Sequence, residues 1–163
     1  MSIILTRIDN RLIHGQILEA WVPHLQVDCI VVANNEIAAQ TMQRTLMAAA
    51  VPKTIRVVIA SLPVVAELFG RHELDAARVL LLLANPGDAL AAHRGGIPFT
   101  ELNLGNLHYA VGKERYSCTV ALAQNELDDL RLLEASGVRI TARCIPSDAD
   151  CDWKKLLDGG GQG

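Results

Sequence analysis

"RVLLLLANPGDALAAHR", residues 78–94, decides the architecture. The run "VLLLLA" at 79–84 is apolar without interruption and has the length of one buried strand. A strand with one face in water would alternate with polar residues, so this one is expected to be covered on both faces. Pro86 suits the first turn of a following helix, where a missing N–H costs nothing. A buried strand running straight into a helix is half of a βαβ unit.

The same grammar extends in both directions. "IILTRI" (3–8), "DCIVVA" (28–33), "TIRVVIA" (54–60), "TELNLG" (100–105) and "VRITARCI" (138–145) read as further strands. Between them lie helical patterns over 16–25, 36–50, 63–70, 86–93 and 125–136. Ile17, Leu18, Trp21, Val22 and Leu25 share one face of the first, and Ala38, Met42, Leu46 and Ala49 form a stripe on the second. Leu127, Leu130 and Leu133 form the apolar face of the last, Pro63 opens its helix as Pro86 does, and Gly137 stands at a helix C-cap. The expected fold is a single α/β domain over 1–158, a doubly wound, mainly parallel sheet with helices on both faces. Residues 106–124 are expected to form an antiparallel edge hairpin or a bulged edge strand turning near Gly112, and "GGGQG" at 159–163 a flexible tail.

Composition narrows the function. Half of the 163 residues are hydrophobic, a fifth are charged, and the formal net charge is −3. Scattered basic residues and few aromatics argue against nucleic acid. No apolar run approaches the roughly 20 residues that span a bilayer, and the N-terminus has no leader pattern, so a cytoplasmic protein is expected. Cys29, Cys118, Cys144 and Cys151 have no CxxC pairing or zinc-like spacing, which predicts reduced thiols and no metal site.

The chemistry concentrates in "RIDNRLIHGQ", residues 7–16. This is the first strand-to-helix loop, and open α/β sheets bind ligands beyond the carboxyl ends of their strands. Gly15 allows a close backbone turn, and the helix start offers unpaired N–H groups and a positive dipole end. Arg11 can fork onto phosphate oxygens and Arg7 can add positive potential, which together favour a neutral, nucleophilic His14. Asp9 can orient either the imidazole or Arg11, and Gln16 can supply an amide donor. The set reads as a histidine that carries phosphate covalently, without metal or cofactor. An ordinary surface ion-pair cluster is the competing account of the same residues.

The stretch "RIDNRLIHGQI" also resembles the phosphorylation-site signature of the IIB components of the mannose/fructose/sorbose family of the bacterial phosphoenolpyruvate-dependent sugar phosphotransferase system (PTS). "NNEIAAQTMQRTLMAAAVP", "LANPGDALAAHRGGIPFTELNLGN" and "GVRITARCIPSD" resemble later segments of that family, so the likeness runs along nearly the whole chain. The resemblance implies a phosphotransferase in which a IIA phosphohistidine donates to Nδ1 of His14. The phosphoryl group would then pass to a sugar held by membrane IIC and IID components. It implies supporting roles for Asp9, Arg11, Gly15 and Gln16, with Asn85 and Asn103 as further candidates whose helix-cap and turn roles compete. The acidic net charge departs from the basic docking surface common in the family, and with no IIA unit fused, a free-standing carrier is expected.

Other readings stay open. A regulatory phosphorelay acceptor would carry the same signature without transport. A histidine-nucleophile phosphatase or mutase would place its histidine in an RHG motif, but Leu12 and Ile13 precede His14 here. A nucleotide-binding module would show GxGxxG or GxxxxGK[ST] after the first strand, and neither occurs. His24, His72 and His93 are expected to be structural or surface residues, while His108 has a loop that could approach the site.

Overall fold

The computed structural model describes residues 2–158, so the expected tail at 159–163 lies outside the described residues. Seven strands form one sheet in the order β3-β2-β4-β1-β5-β8-β9. They are β1 (Ile3–Ile8), β2 (Cys29–Ala33), β3 (Arg56–Ala60), β4 (Val79–Leu83), β5 (Glu101–Leu104), β8 (Arg139–Ala142) and β9 (Cys151–Asp152). All neighbours pair in parallel except β8 and β9.

The uniformly apolar strands are buried on both faces, as their sequences demand. In β2 and β4, Cys29, Val31, Val79, Leu81 and Leu83 enter one core, and Ile30, Val32, Leu80 and Leu82 enter the other. The first core is closed by α4 (Leu62–Gly70), α5 (Pro86–Arg94), α6 (Gln124–Ala135) and α7 (Trp153–Asp158). The second is closed by a π-helical turn, Ile17–Trp21, that runs into α1 (Val22–Leu25), with α2 (Asn35–Ala39) and α3 (Thr41–Ala49) beside it. Ser61 and Asn85 cap α4 and α5 through their side-chain oxygens, and Gly137 adopts φ +97° just after α6.

Two expectations need correction. The helix expected over 36–50 is broken at Gln40 (φ −100°, ψ 87°), and the Arg44 guanidinium reaches back to the Ala38 carbonyl. The break shifts the helical phase, so Ile37 and Met47 face the core while Met42 and Leu46 face water. The hairpin in 106–124 forms, but as a separate two-stranded sheet of β6 (Glu114–Arg115) and β7 (Ala121–Leu122). It turns through 116–120 rather than at Gly112, and the antiparallel edge of the main sheet is β9 instead.

The order in which the chain lays down its parallel strands reverses around β1. The chain leaves β1 for β2 on one side, returns through β4, and crosses to β5 on the other. The loops after β1, β5 and β8 therefore meet beyond the carboxyl edge of the sheet, at the crevice where ligands collect in such folds.

Candidate active site

Asp9 leaves β1 with its backbone N–H bonded to the Leu83 carbonyl of the neighbouring strand, and Leu12 N–H closes a turn back onto the Asp9 carbonyl. Leu12 carries the left-handed conformation of this turn (φ 57°), which is costly for a branched residue. Its side chain is buried in the second core, and that anchorage holds the conformation. Sequence reasoning assigned the tight turn to Gly15. Gly15 instead begins the helical run, and a Cβ there would meet open space.

The turn delivers His14 onto Asp9. His14 Nε2 lies 2.9 Å from Asp9 Oδ2, and the carboxylate is fully buried. Asp9 Oδ1 accepts the backbone N–H of Arg11 at 3.1 Å, so one carboxylate both orients the imidazole and shapes the loop. Among the described residues no hydrogen bond engages His14 Nδ1. Burial pushes the Asp9 carboxyl up, but hydrogen bonds from His14 and Asn106 outweigh it, and the group ends below the usual carboxylate range.

Arg7, expected only to add positive potential, is the buried hub. Its guanidinium donates to Asn103 Oδ1 (2.6 Å), the Arg143 carbonyl (2.7 Å) and the Cys144 carbonyl (2.9 Å), and lies 3.6 Å from Asp9 Oδ2. It stacks 4.6 Å from the Trp21 ring centre, with Arg143 at 5.1 Å from the same ring. Burial lowers the Arg7 pKa to about 10 despite the neighbouring Asp9, so the group stays cationic at neutral pH. Gly105 makes room for it, because a Cβ there would run into the guanidinium. Strand register explains the meeting, since Arg7 pairs with Asn103 and Asn103 with Thr141 in one row across β1, β5 and β8.

The remaining candidates divide. Gln16 joins the cluster as an acceptor, its Oε1 taking Asn106 Nδ2 at 3.0 Å and facing Arg7 at 3.5 Å, while its amide nitrogen meets Cys144 Sγ at 3.7 Å. Arg11 is exposed, and among the described residues its guanidinium has no hydrogen-bond or ionic partner. Asn85 caps α5 through Asp88 N–H (2.8 Å), and Asn103 holds Arg7 rather than facing the histidine. His24 packs on Trp21, His72 pairs with Asp75, His93 packs on Phe99, and His108 is exposed outside the cluster. Sequence reasoning missed Asn106, Trp21, Arg143 and Cys144. Asn106 follows directly on the Asn-x-Gly turn of residues 103–105, and that turn was the one signal that pointed near it.

Among the described residues, no group of three or more His, Cys, Asp and Glu side chains is placed to hold a metal ion. No helix there is long and apolar enough to cross a membrane. The four cysteines are free thiols.

Comparison with known proteins places this geometry among relatives. Residues 3–162 match the family described as "PTS system sorbose subfamily IIB component". The chain is 34% identical over 156 residues to the N-acetylgalactosamine-specific phosphotransferase enzyme IIB component 2 of Escherichia coli K12, covering 96% of this chain and 99% of that protein. It is 29% identical over 157 residues to the mannose-specific EIIAB component of the same strain, covering 96% of this chain and 49% of that longer protein. The crystal structure of the IIBSor domain of the sorbose permease from Klebsiella pneumoniae superposes with a TM-score of 0.91 at 28% identity, covering 97% of each chain.

Proposed function

The chain belongs to the sorbose subfamily of PTS IIB components, phosphotransferases of sugar uptake, and on that premise we propose that His14 is its phosphoryl carrier. One observation carries the reading. The Nε2 atom of His14 meets Asp9 at 2.9 Å, and this supports the tautomer with its proton on Nε2 and its lone pair on Nδ1.

In the proposed transfer, Nδ1 attacks the phosphorus of a phosphohistidine on a IIA unit. The nitrogen–phosphorus bond of the donor breaks, and its electron pair stays on the donor imidazole. The proton on Nε2 remains in the hydrogen bond to Asp9, whose charge balances the phosphoimidazolium that results. In the onward step a sugar hydroxyl attacks the phosphorus, loses its proton to base, and the nitrogen–phosphorus electrons return to Nδ1. Arg11, exposed and unpaired among the described residues, is the guanidinium proposed to swing onto the phosphoryl oxygens. The open space at Gly15 admits those oxygens to the start of the helical run.

The mannose relative carries A and B units in one protein, which supports a IIA unit as the donor. Membrane IIC and IID components are the proposed sugar-binding recipients, and the cytoplasm the proposed compartment. Incubation with a phosphorylated IIA unit, followed by mapping of acid-labile phosphate by mass spectrometry, tests the reading. We expect label on His14 and none in His14→Ala. Undiminished labelling of His14→Ala would refute it.

A further inference from the structure

Asn106 stands where the proposed carrier is controlled from outside its own loop. It is buried at 4% exposure at the exit of β5. Both N–H groups of its amide are placed, one on Asp9 Oδ2 at 2.8 Å and one on Gln16 Oε1 at 3.0 Å. Its backbone carbonyl accepts Asn10 N–H at 2.9 Å, so the same residue grips the histidine loop by main chain and side chain. The Asp9 oxygen it holds is the one that meets His14 Nε2.

We infer that Asn106 is a positioning residue for phosphoryl transfer: by fixing Asp9 between itself and His14, it locks the imidazole as the Nε2–H tautomer and leaves Nδ1 as the nucleophile. The inference builds on His14 as the carrier and adds a residue 92 positions away that never touches the phosphorus. An amide is the side chain the place requires. Two acceptors, a carboxylate and a carbonyl oxygen, converge on one nitrogen, so the group between them must supply two donors. An aspartate there would set a second carboxylate against Asp9. A leucine would leave the Asp9 and Gln16 oxygens short of partners in a buried site. Gln16 has its own part. Its Oε1 also faces Arg7 at 3.5 Å, and its amide nitrogen faces Cys144 Sγ, which fixes which end of Gln16 is presented to Asn106.

The distinguishing measurement is the tautomer of His14, read by nitrogen-15 correlation spectroscopy of the full chain at alkaline pH without any partner. Wild type should show Nε2 protonated and Nδ1 bare. Asn106→Ala should show a mixture of tautomers, together with phosphoryl uptake from a phosphorylated IIA unit slowed about ten- to a hundredfold, the scale of a small misplacement in a reacting pair. A folded Asn106→Ala protein with an unchanged tautomer, or with an unchanged uptake rate, would overturn the inference. If Asn106→Ala does not fold, Gln16→Leu decides. Removing the acceptor that orients Asn106 should mix the tautomers as well, and an unmixed His14 there would equally overturn it. Failure of the carrier assignment reads differently, as labelling that survives His14→Ala.

Discussion

Arg7 is a full guanidinium inside the protein, with its side chain entirely out of water. Such a charge is tolerated when most of its donors are answered: two carbonyls and Asn103 accept from the terminal nitrogens and Asp9 lies 3.6 Å away, while the buried Nε–H has no hydrogen-bond partner among the described residues. Arg7→Met would fill much of the volume yet leave those acceptors unmatched and Asp9 without its cation. We expect a loss of about 3–5 kcal/mol, the scale for breaking a buried pair from one side, measured by urea unfolding. The His14–Asp9 contact was legible because both residues lie in one short loop whose position the βαβ grammar predicts, whereas Arg11, named with them, stands outside the buried cluster. Arg7 was visible but undervalued, since arginines are seldom fully buried and a strand-end arginine reads first as a surface charge. Asn106 was legible only as the residue after the Asn-x-Gly turn, not as a partner of Asp9. Its partner Asp9 is 97 residues away, and only strand order and register bring them together.

At the scale of elements, the segment carrying Asn106 is tied down by α6. Glu126, in the first turn of that helix, accepts the Ala123 N–H at 3.0 Å and the Lys113 ammonium at 3.1 Å. One carboxylate thus closes the helix start and fastens the loop that precedes β6. Glu126→Ala should cost about 1 kcal/mol, typical of a lost cap, and should speed amide hydrogen exchange through residues 107–120 more than in the main sheet. Unaltered exchange there would show that the β6–β7 sheet holds itself. The strands β2 and β4 agreed with their sequences because burial on both faces demands an unbroken apolar run, and α6 because burial of one face sets a helical period. The second helix did not. Its apolar stripe at Ala38, Met42, Leu46 and Ala49 fits one continuous helix, but Asn34 caps a short one and Gln40 ends it, and local capping decided the phase. The π turn at Ile17–Trp21 was equally hidden, since one bond from Val22 N–H to the Ile17 carbonyl leaves no compositional trace.

For the whole molecule, the buried Arg7–Asp9–His14 cluster links stability to acid. The Asp9 carboxyl sits below its ordinary value, so the native state binds its proton less readily than the unfolded chain does. Its contribution is complete above the ordinary aspartate pKa of about 3.9 and is lost as pH falls through the lower native value. Asp9→Asn should therefore flatten the acid limb of the stability curve while lowering stability at neutral pH, as thermal unfolding across pH would record. A steeper acid limb in the variant would contradict the assignment. The doubly wound architecture was legible because six strands with five helices between them leave few other arrangements. The place of β9 was not, because a two-residue strand carries no pattern. The Arg7 contacts have a further meaning in time. Arg7 leaves the ribosome before its seat exists, because the carbonyls of Arg143 and Cys144 that hold the guanidinium lie 136 and 137 residues later. Until the segment after β8 has emerged, His14 and Asp9 stand in the chain without the seated guanidinium beside them, so the cluster is assembled only once strands far apart in sequence have paired.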